Sequence, residues 1–188
     1  MLGAMRIIAG TYRSRVLAAP AGMATRPTSD RLRETLFNVL AARVEDAAFL
    51  DLYAGSGAVG LEALSRGAGS ATFVERAQPA LKALRGNLAA LGVEAGFRVH
   101  AGSVASFLRT GRGDGFDIVF LDPPYDAADE YESVLGLLGG AAAAVLAPGA
   151  VAVAEHRRKQ RLEDRYGGLA RTRLLEQGDA GLSFYAAG

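Results

Sequence analysis

Two short stretches of this 188-residue chain have the residue types and spacing to do chemistry. The first is Gly55-Ser56-Gly57-Ala58-Val59-Gly60, which fits G-x-G-x-x-G between a predicted strand and a predicted helix. Glycines there permit a tight turn and let backbone N–H groups approach a ligand at a helix N-terminus. Asp51 precedes the loop, and Glu75 ends the next predicted strand, where a carboxylate accepts hydrogen bonds from ribose hydroxyls. The loop alone fits a dinucleotide or S-adenosyl-L-methionine, because both present an adenosine ribose. Asp51 favours the second, since a carboxylate opposes a pyrophosphate but suits sulfonium and ammonium cations. A purely structural role for Asp51, hydrogen-bonded to the loop backbone, accounts for the same residue.

The second stretch is Asp122-Pro123-Pro124-Tyr125, which follows a predicted apolar strand. Carboxyl ends of strands in open α/β sheets face the ligand crevice, so this turn is expected opposite the glycine loop. An exocyclic amine on a nucleobase is a poor nucleophile because its lone pair is delocalised into the ring. An acceptor on each N–H lets the nitrogen pyramidalise and aim that lone pair at an electrophilic methyl group. Asp122 supplies one acceptor and the carbonyl of Pro123, held by two rigid prolines, the other. Tyr125 offers a flat face on which an extruded base stacks. A proline turn with a capping aspartate and a core tyrosine is the plain alternative.

Composition closes off other chemistry. The chain has no cysteine, which excludes disulfides, thiol nucleophiles and zinc–thiolate or iron–sulfur sites; with two histidines, a metal site is not expected. No apolar run approaches the ~18 residues of a membrane span, and no signal-peptide pattern opens the sequence, so a cytoplasmic protein is expected; separately, a monomer is expected. His100 and His156 read as structural or solvated, and Arg157-Arg158-Lys159 as a solvated basic run.

The elements that position the two stretches alternate regularly. Residues 1–24 read as a small hairpin, with Arg6-Ile7-Ile8 and Tyr12 to Leu17 around a Gly10-Thr11 turn. Thr28 or Ser29 then caps a helix with Leu32, Leu36, Val39 and Leu40 on one face and Arg31, Arg33 and Glu34 elsewhere. Strands follow at 49–53, 71–74, 97–100, 116–121 and 151–154, separated by helices at about 58–66, 77–90, 104–110 and 131–138. A polar helix or loop leads to two last strands, 171–176 and 182–185, joined at Gly178-Asp179. This pattern predicts an α/β fold: a mostly parallel, doubly wound, seven-stranded sheet with an antiparallel edge strand. Residues 1–44 are read as an N-terminal extension and 45–188 as one compact catalytic domain.

The two stretches resemble the Rossmann-like class I amino-methyltransferases that use S-adenosyl-L-methionine. Arg6-Ile7-Ile8-Ala9-Gly10, the run from Arg26-Pro27-Thr28 to Phe37-Asn38, and Asp51-Leu52-Tyr53-Ala54-Gly55-Ser56-Gly57 narrow the resemblance. Together they are similar to the small bacterial 16S rRNA guanine-N2 methyltransferases of the RsmD type. The resemblance implies methyl transfer to N2 of one guanine in 16S rRNA, within the 30S subunit or its assembly intermediate. It places Asp51, Tyr53, Gly55, Gly57 and Glu75 at the cofactor, with Arg26 and Thr28 closing over its methionine end. By the same resemblance, Asp122, Pro123 and Tyr125 are expected to hold the target guanine. Where relatives carry an aspartate or asparagine toward the adenine, this chain has Ser103, whose hydroxyl accepts a hydrogen bond, followed by the backbone N–H of Val104. From the residues alone, adenine N6 is a second target for the same turn, and a nicotinamide oxidoreductase or a non-catalytic RNA-binding factor are further readings.

The formal charge of +1 is a cancellation. Seven arginines against Asp30 and Glu34 give residues 1–44 a charge of +5, residues 45–154 carry −6, and residues 155–188 carry +2. Arg13, Arg15 and Arg31 of the basic extension are therefore expected to contact RNA phosphates.

Overall fold

The short apolar runs form five parallel strands: β1 (Ala48–Leu52), β2 (Ser70–Glu75), β3 (Phe97–Ala101), β4 (Phe116–Leu121) and β5 (Leu146–Arg157). Helices α1 (Asp30–Val44), α2 (Ala58–Ser65), α3 (Gln78–Leu91), α4 (Val104–Thr110) and α5 (Ala128–Leu138) precede or connect them. The chain ends in β6 (Arg165–Tyr166), β7 (Leu169–Gln177) and β8 (Ala180–Ala187). These come from a computed structural model that describes residues 5–20, 29–110, 115–124 and 128–187.

The sheet runs β3-β2-β1-β4-β5-β8-β7-β6, with β8, β7 and β6 antiparallel to their neighbours. All seven expected strands are present. The two-residue β6 is an addition, formed where a helix or loop was expected, and β5 extends well beyond 151–154 at both ends. The strand order reverses at β1 and β4, so the crevice of this doubly wound sheet opens between their carboxyl ends.

The alternation along each strand divides the core in two. Phe49, Phe73, Ile118, Phe120 and Val153 pack with α1, α2 and α3 on one face. Leu50, Leu52, Val74, Val119 and Leu121 pack with α4 and α5 on the other. Met5, Ile7 and Leu17 belong to the first cluster, so the N-terminal segment and the sheet share a hydrophobic core.

Helix boundaries follow local chemistry. The Ser29 side chain accepts the Leu32 N–H at 3.2 Å and starts α1. Gly92, in the left-handed conformation, stops α3, with the Val93 N–H bonded to the Leu88 carbonyl.

Two local expectations change. Arg33, read as lying off the buried face of its helix, is fully buried. Its guanidinium bonds the Arg6 carbonyl and Asp30 and lies 3.6 Å from Glu62 of α2. The hairpin also has a wider turn than Gly10-Thr11. Arg6 and Val16 form a single bridge, while the Ile8 and Ala9 N–H groups donate to the Glu62 carboxylate at 2.8 and 3.0 Å. The Thr11 and Tyr12 N–H groups donate to Ser65. Side chains and one backbone carbonyl of α2 thus take the backbone groups that a tighter hairpin would pair internally.

Candidate active site

The end of β1 delivers Asp51 and then a loop whose conformation its residues dictate. Tyr53, Gly55 and Gly57 all have left-handed φ values, of 66°, 57° and 83°. The last glycine of the motif answers to packing instead: a Cβ on Gly60 would stand 2.4 Å from Cε1 of Phe73. Its bare backbone lets α2 lie directly against β2. A Cβ on Gly55 would meet nothing closer than the Tyr53 carbonyl at 4.0 Å, so the loop has open space on that side.

Carboxylates hold this loop. Asp51 is 2 % exposed and accepts the Gly60 N–H at 2.9 Å. Glu75, at the end of β2, accepts the Gly55 N–H on one oxygen and the Arg76 and Ala77 N–H groups on the other, each at 2.8 Å. Both acids do the structural work that the plain reading assigned to Asp51. One Glu75 oxygen is filled by two N–H groups, whereas the oxygen that accepts Gly55 and the Asp51 carboxylate each keep acceptor capacity for a ligand. The Tyr53 hydroxyl donates to Glu130 in the first turn of α5 at 2.5 Å, tying the loop to the helix beyond the Asp-Pro-Pro turn.

Asp122 follows the last residue of β4. The register pairs Leu52 with Leu121 and Leu121 with Ala154, so Asp122 lies between the ends of β1 and β5. Alternation puts Asp51, Asp122 and Glu155 on the same face of the sheet, that of α1 to α3. Pro123 is buried and Pro124 exposed.

Crowding these acids at the carboxyl end of the central strands has an electrostatic consequence. Burial pushes the Asp51 carboxyl up to about 7; the Gly60 N–H opposes the shift, and the charge of Glu75 adds to it. Burial, then the charges of Glu155 and Asp51, hold Asp122 well above the ordinary carboxylate range. A crevice lined by acceptors and carboxylates suits a cation, and bound positive charge would favour the ionised acids. It suits a pyrophosphate poorly.

The other expected residues are less concentrated. Ser103 caps α4, its hydroxyl accepting the Ser106 N–H at 3.2 Å, and Val104 is the first residue of that helix with its side chain buried. Both stand just beyond β3, at the same end of the sheet as Glu75. Arg31 is exposed in the first turn of α1. Arg13 is exposed beside the turn that Ser65 holds, and Arg15 donates to the Ala90 carbonyl in the last turn of α3. The last turns of α2 and α3 lie at the end of the sheet opposite Asp122, so the structure does not gather Arg13 and Arg15 with Arg31. Arg26, Thr28 and Tyr125 lie outside the described residues.

His100 packs edge-on against Phe107. His156, read as structural or solvated, is buried between the Arg157 carbonyl and the Ser183 hydroxyl, each 2.9 Å away. Burial lowers its pKa, so it stays neutral and structural.

Residues 5–186 match the family model described as conserved hypothetical protein 95. "Putative rRNA methyltransferase YlbH" of Bacillus subtilis (strain 168) is 36% identical over 183 residues, covering 96% of this chain and 98% of that protein. The chain belongs to this family, the RsmD family. "Ribosomal RNA small subunit methyltransferase D" of Escherichia coli (strain K12) is 49% identical over 124 residues, 65% of this chain and 61% of that protein. The solved structure "Putative methyltransferase yhhF from Escherichia coli" superposes with a TM-score of 0.85 at 37% identity, covering 98% of both chains.

Within this family fold, three buried charged residues escape a reading of motifs. Glu155 follows the apolar run 151–154 within β5, and a carboxylate closing an apolar run, the signal that marks Glu75 and Asp122, would have found it. Glu62 and Arg33 have local partners in Arg66 and Asp30, but the groups that bury them (each other, the Arg6 carbonyl and the Ile8 and Ala9 N–H groups) lie in distant segments. Among the described residues no group of three or more His, Cys, Asp or Glu side chains has the arrangement of a metal site. No described helix is long and apolar enough to cross a membrane.

Proposed function

We propose that this chain transfers the methyl group of S-adenosyl-L-methionine to the exocyclic N2 of a guanine in 16S rRNA, on the 30S subunit or an assembly intermediate of it. The observation that carries the reading is the placement of Asp122-Pro123 at the strand-order reversal, beside the buried carboxylate of Asp51 and the glycine loop. The relatives' names supply the RNA; the acceptor pair and the acidic crevice supply the chemistry.

When bound, the cofactor supplies an electrophilic methyl group on a sulfonium. Asp51 would face its cationic methionine end, with Tyr53 and the backbone of Gly55 and Gly57 shaping the cleft and Glu75 on the ribose. Ser103 and Val104 would address the adenine, and Arg26 and Thr28 would close over the methionine carboxylate. Asp122 accepts one N–H of the guanine amine and the Pro123 carbonyl the other, aiming the nitrogen lone pair along the line of transfer. Tyr125 stacks on the base. Asp122 need not be a strong base, because the nitrogen becomes acidic as it gains the methyl group and sheds its proton afterwards.

Methyl transfer to 30S subunits from cells lacking the modification tests these roles. Asp122→Ala is expected to lose roughly 10²–10³-fold in turnover, the size of one lost transition-state contact, while remaining folded. Wild-type turnover in that variant would remove Asp122 from the reaction. Tyr125→Phe is expected to retain activity and Tyr125→Ala to lose it; equal loss in both would assign the role to the hydroxyl.

A further inference from the structure

The expected phosphate contacts at Arg13, Arg15 and Arg31 are divided by the structure between opposite ends of the sheet. Arg15 is tied to the last turn of α3. That helix has 14 residues, so Arg15 lies about 20 Å from the end where α3 begins and where the crevice opens. A nucleotide seated on Asp122 has its flanking phosphates at the crevice rim, out of reach of Arg13 and Arg15.

Other cations occupy that rim. β5 passes Asp122 and Glu155 and ends at Arg157, and the next residues, Arg158, Lys159 and Arg161, are exposed. The Gln160 N–H returns to the Arg157 carbonyl and the Arg158 N–H bonds the Asp179 carbonyl, so the segment is a fixed turn against the β7–β8 connection. After it the chain descends the α5 side of the sheet, where Leu162 enters the core with Tyr166 and Tyr185. On the other face, Thr35 of α1 touches Gln177 at that same connection, 3.2 Å away, and Arg31 lies one helical turn further toward the rim. Arg31 and the Lys159–Arg161 turn therefore flank the β5 side of the mouth, from the two faces of the sheet.

The charges here are not all available. Arg158 pairs with Glu176 at 3.1 Å, and Asp164 pairs with Arg171. Arg31, Lys159 and Arg161 have no ion pair with any described residue, and all three are exposed. Unpaired cations around an acidic crevice fit a ligand that is anionic at its backbone and donor-rich at its base.

We infer that Arg31, Lys159 and Arg161 form the surface that grips the RNA phosphates flanking the target nucleotide on the β5 side of the crevice, while Arg13 and Arg15 reach only RNA remote from it. The inference rests on the methyltransferase reading above. The test is fluorescence anisotropy of a short, guanine-containing single-stranded RNA oligonucleotide across a series of salt concentrations. Each lost phosphate contact lowers the log–log salt slope by about 0.7 for single strands. The triple variant Arg31→Gln, Lys159→Gln, Arg161→Gln is expected to lower it by about 2. Arg13→Gln with Arg15→Gln is expected to leave it unchanged on the oligonucleotide. An unchanged slope in the triple variant, transfer of the effect to the Arg13 and Arg15 pair, or no salt-dependent binding by the wild type would overturn the assignment. Calorimetry with S-adenosylmethionine confirms that each variant retains its cofactor site. The function reading fails separately, if the wild type binds cofactor but methylates no small-subunit rRNA.

Discussion

Replacing Asp51 with asparagine tests whether the end of β1 stores a proton that a cationic ligand must displace. The carboxyl is 2 % exposed and is pushed from 3.8 up to about 7, chiefly by burial. At about 1.4 kcal/mol per pKa unit, the difference between its two protonation states is roughly 4 kcal/mol. The sign follows from where the proton is held more tightly. The folded chain keeps a proton that the unfolded chain has released. The group therefore contributes stability that is fully present below the unfolded value of 3.8 and is lost as the pH rises through about 7. Asparagine keeps an oxygen for the Gly60 N–H but carries no charge to bury. Urea denaturation of both proteins from about pH 4 to about pH 8 should show similar stability at the acid end. At the alkaline end the variant should be more stable by about 4 kcal/mol, including any coupling to Asp122. The variant should nevertheless bind S-adenosylmethionine more weakly, and the wild type should release a proton on binding below pH 7. Calorimetry in buffers of different ionisation enthalpy reads that proton. A stability gap that does not change with pH would refute the burial argument, and undiminished cofactor affinity would refute the cation argument.

Two further substitutions probe the scaffold. Gly60→Ala places a Cβ 2.4 Å from Cε1 of the buried Phe73 and should cost about 1–3 kcal/mol in urea denaturation, since α2 must move off β2. Glu62→Ala removes the acceptor for the Ile8 and Ala9 N–H groups and the counter-charge of Arg33 and Arg66. It should cost about 3–5 kcal/mol, the range for breaking a buried pair, and limited proteolysis should then cut first near residues 6–17. Wild-type protection there would show that the apolar contacts of Ile7 and Leu17 suffice to hold the segment.

Most of the fold was legible because it is encoded by local spacing. The runs at 71–74 and 116–121, the Gly92 stop and the Ser29 cap each carry their signal within a few residues. The carboxylates at strand ends were legible for the same reason. Long-range pairing was not. A helical wheel places Arg33 by its position in α1 alone, whereas its burial is decided by Glu62 and the Arg6 carbonyl in other segments. The same applies to the wide N-terminal turn, whose backbone partners sit on α2, and to Glu130, which is bound by Tyr53 from across the crevice. The charge pattern carries no position in the same way: of the arginines expected at RNA, Arg13 and Arg15 stand toward one end of the sheet and Arg31 toward the other.

The most direct test of the account is the identity of the methylated nucleotide. Small ribosomal subunits from cells lacking the modification, incubated with this chain and S-adenosylmethionine, can be digested and mapped by mass spectrometry. One methyl group is expected, on N2 of a single guanine, and none in the reaction with Asp122→Ala. A methyl group on adenine N6, or no transfer by a protein that binds the cofactor, would contradict it.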